Sequence, residues 1–183
     1  MHKEVLESCE RFCIDYLNPE EKLSVLDVGS YDVNGCLKPL FEKLGKGNWH
    51  YDGLDIEEGP NVDIIGKEGK FPIEDNAYDV VVSSSCFEHD AAFWITFKEI
   101  VRVAKNNGYI QISTPSTGVV HRYPLDCWRF YPDAYMALSK WCPEAELIES
   151  YNVGGHFDDL VGIFKISKST NHEKKWHKMP NLV

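Results

Sequence analysis

Small and acidic residues follow the apolar segments of this 183-residue chain at the points where strands are expected to end. Asp27, Gly29 and Ser30 belong to the end of the first such segment, and Asp55 to the end of the second. A glycine at this point lets the backbone approach a ligand closely. A carboxylate about one βαβ turn later can accept both hydroxyls of a ribose. The pattern therefore predicts a site for a ligand that contains a nucleoside.

The glycine spacing distinguishes between kinds of nucleotide. A dinucleotide site carries the pattern G-x-G-x-x-G, but Tyr31 stands here where the second glycine would be, two residues after Gly29. A pyrophosphate needs the close approach that this glycine allows, whereas a nucleoside without phosphate does not. The sequence also has no Tyr-x-x-x-Lys pair. Both features disfavour an NAD(P)-dependent oxidoreductase.

The elements that must position these residues can be predicted from apolar spacing. Helical spacing occurs over residues 3–17, 34–45, 90–105 and 132–141, and strand patterns occur over residues 23–29, 50–56, 61–65, 78–85, 109–114, 145–153 and 160–167. The β-branched run within 78–85 is typical of a parallel strand that is buried on both faces. Asp90 is the predicted N-cap of the third helix, and residues 106–108 are its predicted stop.

Strands that alternate with helices predict an α/β fold. We expect a Rossmann-like, doubly wound and mostly parallel seven-stranded sheet, with an antiparallel last strand and helices on both faces. The last two strands have no helix between them, which predicts that they form the antiparallel pair. Residues 1–168 are expected to form a single domain, followed by a basic C-terminal tail at 169–183. In such sheets, ligands bind at the carboxyl ends of the strands near the topological switch point.

Composition limits the partners that the chain can have. Its formal net charge is −10, which argues against nucleic acid because phosphate binding needs a positive surface. No apolar run is long enough to span a bilayer, and the N-terminal residues lack the apolar stretch of a secretory signal. We therefore expect a cytoplasmic protein without a membrane span, whose partner is a small molecule or a glycan acceptor. The sequence leaves the oligomeric state open.

Three segments resemble, in order, the motifs of class I S-adenosylmethionine-dependent methyltransferases, in particular the type 11-like group. LDVGSYDVNG at 26–35 resembles the strand and its DxGxG loop, and LDIEEG at 54–59 resembles the segment with the ribose-binding acid. FPIEDNAYDVVVSSSCFEH at 71–89 resembles the LPF-D-x-x-FD-x-V stretch with its closing Leu-Glu-His. The resemblance covers about residues 20–168. It implies S-adenosyl-L-methionine as the cofactor and methyl transfer as the reaction.

The resemblance also implies roles for individual residues. Asp27 and Gly29 would lie at the methionine part of the cofactor. Asp55 would bind the ribose hydroxyls, and Ile56 would pack on the adenine. The remaining cofactor-binding residues that these loops provide are Ser30, Tyr31, Asn34, Ser84, Ser85 and Cys86.

The sequence departs from the family pattern at two positions. Tyr31 replaces a glycine of the loop after the first strand. Lys67 stands where the family often has an acid that contacts the adenine amino group, and the neighbouring Glu68 is the available substitute. These departures concern the adenine side of the site and leave the predicted fold unchanged.

The segment STPSTGVVHRYPLDCWRFYPDAY at 113–135 would line the acceptor side, together with residues 83–91. It combines aromatic faces with a histidine, aspartates and two arginines, a set suited to a polar ring with hydroxyl groups. Its H-x-x-P-x-D-x-W-R-F-x-P-D-A pattern also resembles a loop in methyltransferases found among glycan and polysaccharide genes. We therefore expect O-methylation of a sugar or glycan hydroxyl. The alternative is that the aromatic residues simply cover the sheet.

A hydroxyl acceptor usually needs a base. The candidate catalytic residues are His121 and His89, with Asp126 orienting or assisting. The expected substrate-binding residues are Arg122, Tyr123, Trp128, Arg129 and His156, of which the last is a third candidate base. Ligands for a divalent cation would be available only if they converged from His89, Asp90, His121, Asp126, His156, Asp158 and Asp159. The sequence does not show this convergence, and no metal site is predicted.

Two other functions stay open at the level of the sequence. One is a methyltransferase that acts on a small metabolite or a lipid-linked intermediate. The other is a non-catalytic S-adenosylmethionine-binding partner subunit, which a short chain without an added acceptor domain would suit. Methylation of the amino group of adenine or glutamine is disfavoured, because the (N/D/S)-P-P-(Y/F/W) motif is absent after the strand at 78–85.

Overall fold

The computed structural model of the protein describes residues 2–168, and the predicted basic tail at 169–183 lies outside the described residues. The described part contains the helices α1 (Lys3–Tyr16), α2 (Lys38–Gly45), α3 (Phe93–Val103) and α4 (Ala134–Trp141). Its strands are β1 (Leu23–Val28), β2 (Trp49–Asp55), β3 (Ile64–Ile65), β4 (Tyr78–Ser84), β5 (Ala104–Thr114), β6 (Ala145–Asn152) and β7 (Leu160–Ile166). Among residues 2–168, no helix has the length and apolar character needed to cross a membrane.

The seven strands form one sheet in the order β3-β2-β1-β4-β5-β7-β6. Strands β1 to β5 run parallel to one another, and β7 runs antiparallel to both β5 and β6. The chain leaves β1 towards β2 and β3 and then crosses back to β4, so the topological switch point lies between β1 and β4. The predicted doubly wound sheet with an antiparallel last strand is therefore confirmed.

The central strand β4 is buried on both faces, as its β-branched run predicted. Val80 and Val82, each 1% exposed, pack in the core beneath α1 and α2. Val81, which is 0% exposed, packs in the core beneath α3 and α4. Each such side chain contributes roughly 1.5–3 kcal/mol through burial. Helices thus cover both faces of the sheet and fix the strand ends from which the candidate site is built.

The start of α3 differs from the prediction that Asp90 is its N-cap. The N-cap position is Ala92, and no side chain caps it. Asp90 instead closes the turn before the helix: its Oδ1 accepts the Ala92 N–H at 2.8 Å, and its Oδ2 accepts the Thr96 hydroxyl at 2.5 Å. The prediction was wrong because an aspartate can satisfy amides in a preceding turn as well as at the cap itself.

The predicted helix stop at residues 106–108 was also wrong. The helix ends earlier, and these residues lie within β5. The pairing of β4 with β5 passes from Tyr78–Ala104 to Val80–Tyr109, so the register shifts and the extra residues of β5 bulge outwards. Asparagine and glycine suit such an irregular strand as well as they suit a helix terminus.

The connection from β2 to β3 spans residues 56–63, contains no helix and folds back along β2. The Asp63 N–H donates to the Gly53 carbonyl at 2.8 Å, and the Gly53 N–H donates to the Asp63 carboxylate at 2.9 Å. A Cβ placed on Gly53 would lie 1.9 Å from the carbonyl oxygen of Asn61. Only glycine allows this close approach, which brings the connection to the ligand-binding edge of the sheet.

We expect Gly53→Ala to lower the free energy of unfolding by about 1–3 kcal/mol, because the added methyl group must displace backbone. The matched control is Gly66→Ala at the end of β3, where the new Cβ would lie 3.3 Å from the end of the Leu54 side chain, which can move. Urea unfolding of both variants measures the difference. Equal stability of the two variants would contradict the close approach at Gly53.

Candidate functional site

The ends of β1 and β4 meet at the switch point, where the sequence predicted the ligand site. The N–H groups of Gly29 and Ser30 donate to the Leu54 carbonyl at 2.9 and 3.1 Å, which joins the loop after β1 to the end of β2. Gly29 has a φ of +79°, and a Cβ on it would lie 2.5 Å from the Cβ of Cys86. The loops after β1 and β4 are therefore in direct contact at this edge.

Asp55 lies at the end of β2 and faces the loop after β1. Its Oδ2 accepts the Tyr31 N–H at 3.0 Å, and its Oδ1 accepts the N–H groups of Ile56 and Glu57 at 2.7 and 3.3 Å. A carboxylate can accept about four hydrogen bonds, so acceptor capacity is left for a ligand hydroxyl. The Ile56 side chain beside it is 47% exposed and offers an apolar face. This pair fits the ribose and adenine roles that the family resemblance implies.

Asp27 lies near the end of β1 and is 4% exposed. Its Oδ2 accepts the Tyr51 hydroxyl at 2.5 Å. Burial raises the pKa of Asp27 to about 7, and the hydrogen bond from Tyr51 opposes this shift only in part. Asp27 therefore lies beneath the loop and supports it from within the core.

The hydroxyl of Ser84 at the end of β4 is buried and has no hydrogen-bond partner in the described part of the chain. Leaving such a group unpaired in a folded protein costs free energy, so an orphaned hydroxyl two residues before Cys86, which contacts Gly29, suits a polar ligand group. Ser85 follows with a φ of +51°, and its N–H donates to the Ser113 carbonyl at 3.0 Å. The end of β4 thus turns sharply towards Cys86.

The remaining predicted cofactor residues lie in the loop after β1 and differ in what they contact. The Ser30 hydroxyl donates to the Asn61 carbonyl at 3.0 Å, so this side chain binds the connection that follows β2. The Tyr31 ring packs over Gly59 and is 41% exposed. Asn34 lies in the exposed part of the same loop. Tyr31, which broke the dinucleotide pattern, therefore joins the two loops at the edge of the site.

Glu88, His89 and His121 come together on the predicted acceptor side. Glu88 and His89 lie in the turn after β4, and His121 lies in the loop after β5. His89 Nε2 is 3.6 Å from Glu88 Oε1, and the two imidazole centroids are 5.0 Å apart. Burial raises the pKa of Glu88 to about 8 and lowers the pKa of His89 below its ordinary value. His89 and His121, the two candidate bases, are therefore neighbours.

Asp126 is held by Arg129 in a two-pronged ion pair, with Nη1 to Oδ1 at 2.6 Å and Nη2 to Oδ2 at 2.8 Å. The His121 backbone N–H donates to the same carboxylate at 2.7 Å. The hydrogen-bonded Arg129 guanidinium holds the pKa of Asp126 well below its usual range. Asp126 therefore stays ionised and orients the segment around His121, and Arg129 serves this loop as its partner.

Aromatic rings surround the two histidines. The ring of Tyr123 lies 6.1 Å from the His89 ring, and Tyr123 is 59% exposed. Phe157 lies 4.9 Å from the His121 ring and 4.8 Å from the ring of His156, which is exposed. Two of the predicted substrate-binding residues, Tyr123 and His156, therefore lie on the rim of the histidine cluster.

Trp128 lies apart from this rim. Its Nε1 donates to the Asp90 carbonyl at 2.9 Å, and its ring packs 5.7 Å from Phe93 at the start of α3. Its side of the loop therefore packs on the start of α3. Arg122 is exposed in the same loop.

Sequence reasoning missed two residues of this cluster. Glu88 entered only as part of a family motif, although a Glu-His pair directly after a buried parallel strand was a signal that both side chains lie at the ligand edge. Phe157 had no such signal, because its contact with His121 joins the loop after β6 to the loop after β5.

Comparison with known proteins gives a match to one family model. Residues 41–112 match the family model described as "Methyltransferase domain". The match runs from α2 into β5 and so includes Asp55, Ser84 and the Glu88–His89 turn. No curated protein matches the sequence significantly.

Several solved structures have the same fold. A SAM-dependent methyltransferase from Aquifex aeolicus superposes with a TM-score of 0.62 at 18% identity, over 91% of this chain and 99% of that chain. The 1,6-didemethyltoxoflavin-N1-methyltransferase from Burkholderia thailandensis, with bound 1,6-didemethyltoxoflavin and S-adenosylhomocysteine, gives 0.70 at 14% identity, over 88% and 78%. The PH0226 protein from Pyrococcus horikoshii OT3 gives 0.65 at 15% identity, over 90% and 91%. At these identities the similarity establishes the fold.

The raised pKa of Asp27 predicts a pH dependence of stability. An unfolded chain loses this proton near pH 4, whereas the folded protein keeps it until about pH 7. The contribution of Asp27 to the free energy of unfolding is therefore full below about pH 4 and is lost as the pH rises to about 7. Asp27→Asn keeps an acceptor for Tyr51 and removes the titration.

We expect the stability of Asp27→Asn, relative to the unsubstituted protein, to rise with pH by up to about 1.4 kcal/mol per pH unit in this window. Urea unfolding at intervals from pH 4 to pH 8 measures the difference and cancels the contributions of other groups. A difference that is constant across this range would show that Asp27 ionises normally in the folded protein.

Proposed function

We propose that this chain is an S-adenosylmethionine-dependent methyltransferase that methylates a hydroxyl group of a sugar or glycan. The observation that carries the proposal is the meeting of Gly29, Asp55 and Ser84 at the switch point of the sheet, within a fold and a domain match typical of methyltransferases. The orphaned Ser84 hydroxyl and the exposed Ile56 side chain both favour a ligand with a nucleoside and a polar tail.

The residues of the switch point would hold the cofactor. Asp55 would accept a ribose hydroxyl, Ile56 would pack on the base, and Ser84 with Cys86 would line the reactive end. S-adenosylmethionine, when bound, supplies an activated methyl group. The chain then has to position the acceptor next to that methyl group and to remove the proton of the acceptor hydroxyl.

The acceptor side carries groups suited to a sugar. Tyr123 and Phe157 offer aromatic faces beside the two imidazoles, and His156 and Arg122 provide polar groups on the rim. Apolar ring faces stack on C–H surfaces, while polar side chains bind hydroxyls. The net charge of −10 disfavours a nucleic-acid acceptor.

The two histidines are the candidate groups for removing the proton of the acceptor hydroxyl. His121 and His89 each present a ring Nε2 that makes no hydrogen bond within the described residues. Asp126 contributes by holding the backbone of His121 and is not itself available as a base, since its oxygens are paired with Arg129. A small metabolite or a lipid-linked intermediate would use the same groups, and only the acceptor would differ.

Calorimetric titration tests the cofactor. We expect S-adenosylmethionine and S-adenosylhomocysteine to bind and NADH not to bind. Asp55→Ala should weaken S-adenosylmethionine binding by about 1–3 kcal/mol, because a charged hydrogen-bond acceptor is lost. Asp55→Asn, which keeps one acceptor oxygen and the local shape, should lose less. Absence of binding by both sulfur compounds would overturn the proposed function, and unchanged affinity in Asp55→Ala would overturn the role of Asp55.

Transfer of tritium from methyl-labelled S-adenosylmethionine tests the acceptor. We expect label in a panel of nucleotide sugars and polysaccharides, and a loss of about 10²-fold or more in His121→Ala and His89→Ala, with cofactor affinity unchanged. His50→Ala is the matched control, because His50 is exposed near the start of β2, away from the ligand edge. Label only in small metabolites or lipids would move the acceptor class. Cofactor binding without transfer to any acceptor would favour a partner subunit.

A further inference from the structure

Glu88, His89 and His121 can each place one ligand atom within 4.8 Å of the others. The three side chains come from two separate loops, which follow the neighbouring parallel strands β4 and β5. His89 Nε2 already lies 3.6 Å from a Glu88 carboxylate oxygen, and the two imidazole planes are nearly perpendicular, at 89°. Atoms at such separations surround a common point that a single ion can occupy.

Backbone contacts orient both imidazoles for metal binding. His89 Nδ1 lies 2.6 Å from the Leu125 carbonyl, and His121 Nδ1 lies 3.2 Å from the Val119 carbonyl. A carbonyl only accepts, so each Nδ1 must carry the proton and each Nε2 must present its lone pair when the ring is neutral. Metal-binding histidines typically donate their second ring N–H to a carbonyl or carboxylate in this way.

The Glu88 carboxylate is the observation that calls for a ligand. The residue is 1% exposed, and its Oε2 is buried without a hydrogen-bond partner in the described part of the chain. A buried carboxylate oxygen without a partner is costly, so such groups are usually paired or bound to a metal. An ion held between this carboxylate and the two imidazoles would reduce that cost.

The neighbouring arginine does not already serve this purpose. Arg129 directs Nη1 and Nη2 to the Asp126 carboxylate and also donates to the Trp128 and Val119 carbonyls. Its remaining polar atom, Nε, is buried without a partner and makes no hydrogen bond to Glu88. The positive charge in this region is therefore committed to Asp126.

We propose that Glu88, His89 and His121 form a binding site for a divalent transition-metal ion. Two imidazoles and one carboxylate suit ions such as zinc, manganese, cobalt or iron, whereas magnesium and calcium prefer oxygen ligands alone. Three protein ligands leave at least one coordination position for water or another oxygen ligand.

The site stands on these contacts alone, but its use in catalysis rests on the proposed function. A divalent ion lowers the pKa of an oxygen ligand, so a hydroxyl bound in the open position would release its proton to solvent water. The oxygen would keep the electron pair that forms the new bond to the methyl carbon, while the bond from that carbon to the sulfonium sulfur would break and leave its electron pair on the sulfur of S-adenosylhomocysteine. The two histidines would then act by holding the ion and would not carry the proton themselves.

Cobalt(II) provides a probe whose visible absorption reports directly on its ligands. We expect the full chain, without an affinity tag and after removal of metals with EDTA, to bind one Co²⁺ with a saturable visible spectrum. Glu88→Gln and His121→Gln should each weaken binding by at least about tenfold, because even loss of a hydrogen bond to a metal-binding histidine costs about 10–100-fold. His50→Gln is the matched control and should bind as the unsubstituted chain does.

A nearby thiol needs its own control. Cys127 is exposed, and its N–H donates to the Glu88 carbonyl at 2.7 Å. Cys127→Ser should leave the cobalt spectrum unchanged, and no thiolate-to-cobalt charge-transfer band should appear. A band that is lost in Cys127→Ser, with binding retained in His121→Gln, would overturn the site in favour of thiol binding. Absence of binding, or equal binding by Glu88→Gln, His121→Gln and His50→Gln, would also overturn it.

The outcomes of the metal titration and of the cofactor titration are independent of each other. Thermal unfolding of the metal-free variants verifies their folding, and His121→Gln should unfold near the parent temperature because His121 lies in a loop and is only partly buried. Cobalt binding without S-adenosylmethionine binding would overturn the proposed function and keep the metal site. S-adenosylmethionine binding without cobalt binding would overturn the metal site and keep the proposed function.

Discussion

The contact between the loops after β1 and β4 is the constraint on which the candidate site depends. A Cβ on Gly29 would lie 2.5 Å from the Cβ of Cys86, so only glycine lets the two loops touch. The contact limits how far the ends of the two central strands can separate at the switch point. Ser84 precedes it on the predicted cofactor side, and Glu88 follows it on the predicted acceptor side. The two halves of the site are thus joined by a few residues of one turn.

Charge pairing distinguishes two carboxylates on the predicted acceptor side, those of Asp126 and Glu88. Asp126 is neutralised by Arg129, and this pair fixes the backbone around His121. Glu88 is equally buried, but its Oε2 has no hydrogen-bond partner among the described residues. A buried carboxylate is stabilised by a proton, a hydrogen bond or a cation, so the state of Glu88 depends on what binds beside it. The Asp126–Arg129 pair therefore orders the loop around His121, whereas Glu88 is left open to a ligand.

Local features of the sequence predicted most of the fold. The β-branched run in β4 indicated a strand buried on both faces, and the absence of a helix between β6 and β7 indicated an antiparallel pair; both were confirmed. Asp90 and residues 106–108 were assigned wrongly, because turn-forming residues suit several local conformations and the neighbouring strand selects among them. Boundaries therefore depended on contacts that the local pattern did not contain.

By itself the sequence determined the order of the elements and the residues at the end of each strand, including Gly29 and Asp55, because hydrophobic period and turn chemistry are properties of neighbouring residues. Only the tertiary structure decided which side chains are paired and which are left open. It shows Asp126 paired with Arg129, and it places His121 beside Glu88. The meeting of His121 with Glu88 joins the loops after the neighbouring strands β5 and β4, so it is fixed by sheet order and packing, which no local pattern encodes.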